Sequence, residues 1–293
     1  VRYRARHRTR YDYGEDVPVS HHLMHLVPRA HPGQKVRRSL LAIAPQPAVR
    51  LDYSDYFGNP VGYFAVQEPH RWLEISAELE IEIRPPALPD PGTTPAWEEL
   101  RAVARALAGA DEAAGIGQFT FDSVLVRTGQ ALADYARPSF PAGRPVAAAV
   151  LDLTRRIHRE FTFDPAATTV STPLAQVLEQ RRGVCQDFAH LQIGCLRSLG
   201  LPARYVSGYL RTLPPPGQPR LVGADASHAW VSAWCGGDTW LDACPTNGRL
   251  VDQDFITLAW GRDYDDVCPV RGVITSGASH TLLVQVDVEL IEE

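Results

Sequence analysis

Long apolar runs are missing from this sequence. No stretch approaches the ~18–20 residues that a membrane-spanning helix needs, so a soluble protein with no membrane partner is expected. A basic surplus is missing too. The 29 Lys+Arg against 34 Asp+Glu leave a net charge of −5, which removes the driving force of a general nucleic-acid binder. Cysteine is scarce. The five (Cys185, Cys195, Cys235, Cys244, Cys268) form an odd set without a CxxC pair, which argues against both a disulfide framework and a zinc ribbon. The first residues, Val1-Arg2-Tyr3-Arg4-Ala5-Arg6-His7-Arg8, lack the apolar stretch of a secretory leader, and the cytoplasm is the address this predicts. What is present is ordinary for a globular chain: 293 residues, 45% hydrophobic and 22% charged, enough for one large or two medium domains.

Up to about Arg84 the texture is that of strands. Leu73 to Ile83 alternates by twos with its glutamates on one side, the mark of a half-buried strand. Arg2, Arg4, Arg6 and Arg8 share one strand face, read as solvated, and the adjacent His21 and His22 point to opposite faces of an exposed strand rather than to one metal. Pro85-Pro86-Ala87-Leu88-Pro89-Asp90-Pro91-Gly92 breaks the pattern. Helical spacing follows from Trp97, alternation returns after Ala203, and the chain ends in an alternating run from Thr281 to Leu290. These textures predict an N-terminal antiparallel β-domain (1–85) and an α+β second domain with C-terminal strands (86–293). Thr212–Pro219 and Asp252–Pro269 read as irregular, and Gly261 to Asp266 takes no role.

The densest chemical signal is Gly183-Val184-Cys185-Gln186-Asp187-Phe188-Ala189-His190. Phe188, Leu191, Cys195 and Leu199 recur at spacings of 3, 4 and 4, and Gly200 with Pro202 ends the pattern, so a helix begins at or just before Cys185. A helix N-terminus offers free N–H groups and partial positive charge, which lower a thiol's pKa and stabilise an oxyanion. Cys195, on the apolar stripe, reads as a small buried hydrophobe. Among the histidines, His228 has the best setting for a base: Ala229, Val231 and Ala233 make an aliphatic face, and His228, Trp230, Ser232 and Trp234 share the other. His190 and His158 read as structural or exposed.

Gly236-Gly237 turns this strand into Thr239–Cys244, where Trp240, Asp242 and Cys244 fall on the His228 face if the hairpin loop has an odd number of residues. A Cys235–Gly237 loop sets 228 opposite 244, and a Gly236–Asp238 loop sets 230 opposite 244. Either way position 244 lies nearer His228 than position 242 does.

The Cys185 block, with Leu199-Gly200-Leu201-Pro202-Ala203-Arg204-Tyr205-Val206-Ser207-Gly208-Tyr209, Ser227-His228-Ala229-Trp230 and Pro245-Thr246-Asn247, resembles the core of bacterial transglutaminase-like cysteine proteins. Tyr11, Pro28-Arg29 and Asp55-Tyr56-Phe57-Gly58-Asn59 are similar to the β-domain that precedes that core in the family. The resemblance implies a papain-like core in which Cys185 attacks an amide or peptide carbonyl of a peptide or protein substrate and His228 shuttles the proton, with no cofactor and no metal. Hydrolysis is favoured over acyl transfer to an amine, since water is the default acceptor. Where the family carries Asp before Pro-Thr, this chain has Cys244, so Asp242 is the substitute named for orienting His228. Two rival readings are a zinc site made of Cys185, His228 and Cys244, and a pseudoenzyme that binds without reacting.

Overall fold

The computed structural model describes residues 1–84, 90–108, 114–212, 226–277 and 279–292. Strands β1 (Arg2–Val17), β2 (Ser20–Met24), β3 (Gln34–Ala44), β4 (Val49–Ser54), β5 (Pro60–Val66) and β6 (His70–Ile83) come first. Helices α1 (Trp97–Leu107), α2 (Ala114–Gly117), α3 (Gln130–Ala136) and α4 (Val146–Glu160) follow, then β7 (Thr162–Phe163), α5 (Leu174–Gln180), β8 (Arg182–Gly183) and α6 (Cys185–Ser198). The chain closes with β9 (Ala203–Leu210), β10 (Ala226–Gly236), β11 (Thr239–Cys244), β12 (Arg249–Leu250), β13 (Phe255–Gly261), α7 (Tyr264–Val267), β14 (Val270–Ile274) and β15 (His280–Glu292). The architecture is α+β: antiparallel N-terminal sheets, then helices against one antiparallel sheet of order β12-β11-β10-β9-β13.

The long N-terminal strands follow their alternation. In β6, Leu73, Ile75, Ala77, Leu79, Ile81 and Ile83 are buried while the intervening glutamates are half-exposed. The arginines of β1 meet acidic residues across the strands: Arg4 lies 3.5 Å from Glu80, Arg6 3.9 Å from Asp287 and Arg8 2.7 Å from Glu74. Strand β2 departs from its expected exposure, because it runs between β14 and β5; His21 is exposed and bonded to Tyr63, while His22 is buried and stacked on Phe64.

Two expectations are corrected by the pairing. The C-terminal strands join the N-terminal sheets rather than the second domain: β15 pairs with β1 from Arg2↔Glu292 to Tyr13↔His280, and β14 pairs with β2. A boundary at residue 85 thus divides the chain by order but not by sheet, since strand texture alone carries no information about a partner 280 residues away. Asp252–Pro269 is not irregular: it holds β13 and α7. Strand β13 is buried on nearly every residue, so no alternation betrays it. Of the proline-rich stretches, residues 85–89 and 213–219 lie outside the described residues.

Strand β13 is an edge, and the β-domain covers it with side-chain amides. Gln34 donates to the Thr257 carbonyl (2.7 Å) and accepts from its N–H (2.8 Å); Asn59 does the same with Trp260, at 2.8 and 3.0 Å. Arg29 stacks 3.6 Å over the Trp260 ring. On the opposite side, the helices bury Ala229, Val231, Leu241 and Ala243 in the main core. Trp230 is fully buried on the other face and packs over Gly208, where a Cβ would stand 2.4 Å from its ring and 2.1 Å from the Ile256 carbonyl.

Candidate active site

Helix α6 starts at Cys185, where the spacing places it. Its first turn is held by Asp187, whose Oδ2 accepts the Val184 N–H (2.8 Å) and the Thr168 hydroxyl (2.6 Å). The helix stops at Gly200, which takes the left-handed conformation (φ 79°) that glycine adopts without steric cost. Cys185 is half-buried, and the backbone N–H groups of Ala229 and Gln186 donate to its sulfur. Even so, burial wins over these donors and pushes the thiol up to about 11, where the sequence predicts a lowered value. Desolvation outweighs the helix terminus. Cys195, on the same helix, is fully buried and pushed up to about 12.

His228 comes from β10, with Val231 opposite Ala243, which is the register of the Gly236–Asp238 alternative; a bulge lies between Trp234 and Gly236. Its Nε2 lies 3.1 Å from the Cys244 sulfur. Burial, with the Arg249 charge behind it, holds the imidazole down at about 4. Burial thus favours the neutral form of both the thiol and the imidazole. Asp242 does not reach this histidine. Its Oδ2 accepts the Trp230 indole N–H at 3.3 Å instead, because in this register the carboxylate falls level with Ser232, four residues along β10 from His228.

Besides Cys244, Asn247 reaches His228, 3.5 Å from Nε2 and 3.2 Å from the Cys244 sulfur. It lies in the Pro245-Thr246-Asn247 turn three residues past Cys244, and strand-face counting passes over it because a turn, not a strand period, aims it back. That turn is pinned by His158, whose Nδ1 lies 2.8 Å from the Thr246 carbonyl. His190 is also structural: it is buried and its Nε2 accepts the Tyr264 N–H at 3.1 Å. Gly261 to Asp266 thereby gains a scaffolding role, with Asp266 bonded to Arg262 and Asp263 accepting the Leu125 N–H. Among the described residues no three His, Cys, Asp or Glu side chains stand where they could hold a metal ion, so the geometry gives no support to the Cys185, His228, Cys244 zinc site.

Cys185 and His228 line one cavity of about 320 Å³. The core contributes Gln186, Tyr205 and Tyr264 to its wall, and the β-domain contributes His7, Thr9 and Tyr11 of β1 with Leu282 and Val284 of β15. None of the described residues lining it is Asp, Glu, Lys or Arg. His7, held at about 4 by burial, is neutral there, its Nε2 lying 2.7 Å from the Thr9 hydroxyl.

Comparison with known proteins matches residues 3–82 to the bacterial transglutaminase-like N-terminal region and residues 134–245 to the transglutaminase-like superfamily. An uncharacterized Mycobacterium bovis protein is 42% identical over 296 residues, covering 98% of this chain and 92% of that one. The chain belongs to the transglutaminase-like superfamily. A solved structure described as a putative cysteine protease from Cytophaga hutchinsonii shares this transglutaminase-like fold, with a TM-score of 0.77 at 20% identity over 100% of this chain and 92% of that one. A Pseudomonas aeruginosa protein-glutamine gamma-glutamyltransferase is 33% identical over 118 residues, 40% of this chain and 18% of that protein. The superfamily match contains Cys185, His228 and Cys244 and ends two residues before Asn247. Among the described residues no helix is long and apolar enough to cross a membrane.

Proposed function

We propose that this protein is a thiol-dependent amide-bond enzyme in which Cys185 is the nucleophile and His228 its acid and base. The observation that carries the reading is the shared cavity: a cysteine at the first turn of a helix, two backbone N–H groups donating to its sulfur, and a histidine in the same wall. Because burial favours the neutral pair, proton transfer accompanies attack. The Cys185 proton passes to His228 Nδ1, the nitrogen left over once Nε2 is turned to Cys244 and Asn247, as the sulfur bonds to the carbonyl carbon. Collapse breaks the C–N bond, the imidazolium returns its proton to the leaving amine, and a thioester remains. Water deprotonated by the same histidine then releases the acid and the thiol.

The uncharged walls fit an uncharged acyl group, such as a peptide segment with neutral side chains. They also favour water over a cationic amine as the acceptor, since no described carboxylate in the cavity would hold an ammonium group. Similarity to the Pseudomonas glutamyltransferase supports acyl transfer as the second reading. Neutral peptides incubated with and without a primary amine, and analysed by mass spectrometry, separate the two: cleaved or deamidated product supports hydrolysis, and amine-linked product supports transfer. Cys185→Ala should abolish either. If wild type and Cys185→Ala both yield no product while the peptide still binds, the protein is a binding module.

A further inference from the structure

The cysteine in the usual aspartate position leaves His228 without a carboxylate, yet its surroundings are those of an acceptor. Besides His228 Nε2 at 3.1 Å, the backbone N–H groups of Thr246 and Asn247 point at the buried Cys244 sulfur. As placed, the Asn247 side chain adds a further donor, Nδ2, at 3.2 Å. Apart from His228 Nε2, this leaves the Cys244 thiol proton with no acceptor among the described residues. Exchanging the two ends of the Asn247 amide, which are related by a half-turn about the last side-chain torsion, sets Oδ1 in the same place and supplies one.

We propose that Cys244 and Asn247 together form a neutral relay that positions His228: the Nε2–H of His228 donates to the Cys244 sulfur, and the Cys244 S–H donates to the Asn247 side-chain oxygen. The inference rests on the reading of Cys185 as nucleophile and His228 as base. Its consequence is a tautomer. With the relay running in this direction the proton of neutral His228 sits on Nε2, and Nδ1 keeps the lone pair that must receive the Cys185 proton. Run the other way, with Cys244 donating to Nε2, the proton moves to Nδ1 and the base is blocked. Asn247 decides the direction because its oxygen takes the one proton that would otherwise go to Nε2. No charge moves along the relay, so it sets the ring's tautomer and orientation without offsetting an imidazolium. Asn247 and Cys244 are positioning residues.

The test is the nitrogen chemical shifts of His228 in the full chain with 15N-labelled histidine at pH 7, assigned by difference from His228→Gln. Wild type should show the Nε2–H form. Asn247→Ala and Cys244→Ala should lose it in favour of a mixture or the Nδ1–H form, with kcat lowered about 10- to 100-fold and KM little changed. Asn247→Asp, which only accepts, and Cys244→Ser, which accepts and donates like the thiol, should retain the Nε2–H form; both conserve volume and guard against a folding defect in the alanine variants. An Nδ1–H wild type, or an unchanged Nε2–H form in Asn247→Ala, overturns the relay. The spectrum needs no turnover: the expected tautomers in a protein without amidase activity sink the enzyme reading and leave the relay standing, whereas turnover by an Nδ1–H histidine sinks the relay alone.

Discussion

Strand β1 carries two chemistries on alternate residues. Arg4, Arg6, Arg8 and Arg10 face outward and meet Glu80, Asp287 and Glu74, whereas His7, Thr9 and Tyr11 face inward and wall the cavity of Cys185 and His228. The period of two that makes a strand also makes this wall. Outside, all the named charges but the buried Asp287 are half-exposed, screened and replaceable; inside, every group is neutral and each polar atom needs a partner. The β-domain is therefore both a charged surface and half of the candidate active site.

The largest effect should come from moving charge across that divide. Thr9 is 2% exposed, so Thr9→Asp places a carboxylate in the wall with only the buried His7 imidazole beside it and should cost about 3 kcal/mol or more, read as a fall in denaturant midpoint. Acid should act next. His7, His22, His190 and His228 are held at about 4 chiefly by burial, below the ordinary 6.5. The unfolded chain binds their protons first, so their contribution is complete above pH 6.5 and is lost as the pH falls toward 4, up to about 3 kcal/mol for each. Glu74 and Glu82 on the outer face, held below the usual carboxylate range by hydrogen bonds from Arg8 and Arg37, keep their contribution until the pH drops below about 4.5. The inner face should thus fail first on acidification. His22→Phe, in a ring position already stacked 4.8 Å from Phe64, should lessen the fall in melting temperature between pH 7 and pH 5. The smallest effect belongs to the outer ladder: Arg4→Ala should cost under about 1 kcal/mol, shrinking further in high salt. A large loss there would erase the contrast between the two faces.

Local patterns made much of this legible. The alternation of Leu73 to Ile83 and the 3, 4, 4 spacing behind Cys185 report structure because each element has one buried and one distinct face or end. Strand β13 hides because both its faces are buried, and the docking of β14 and β15 on β2 and β1 hides because it is decided by long-range register. At the site, Cys185 and His228 are named by local pattern and family resemblance. Asp242 bonds Trp230 because one hairpin register turns it there, and Asn247 escapes strand-face counting because a turn brings it back to the histidine. The raised Cys185 pKa was illegible for a related reason: a helix terminus is visible in sequence, whereas the depth of burial set by β1 and β15 is not.

The central claim is that Cys185 is set apart from the other thiols by its histidine. Timed iodoacetamide labelling of the folded chain at pH 7.5, followed by peptide mapping, tests it most directly. Cys185 should react first, Cys195 of the same helix should stay unlabelled, and His228→Ala should slow Cys185 about 10- to 100-fold while leaving Cys195, Cys235 and Cys268 unchanged. Equal rates at Cys185 and Cys195, or a Cys185 rate indifferent to His228→Ala, would contradict the account.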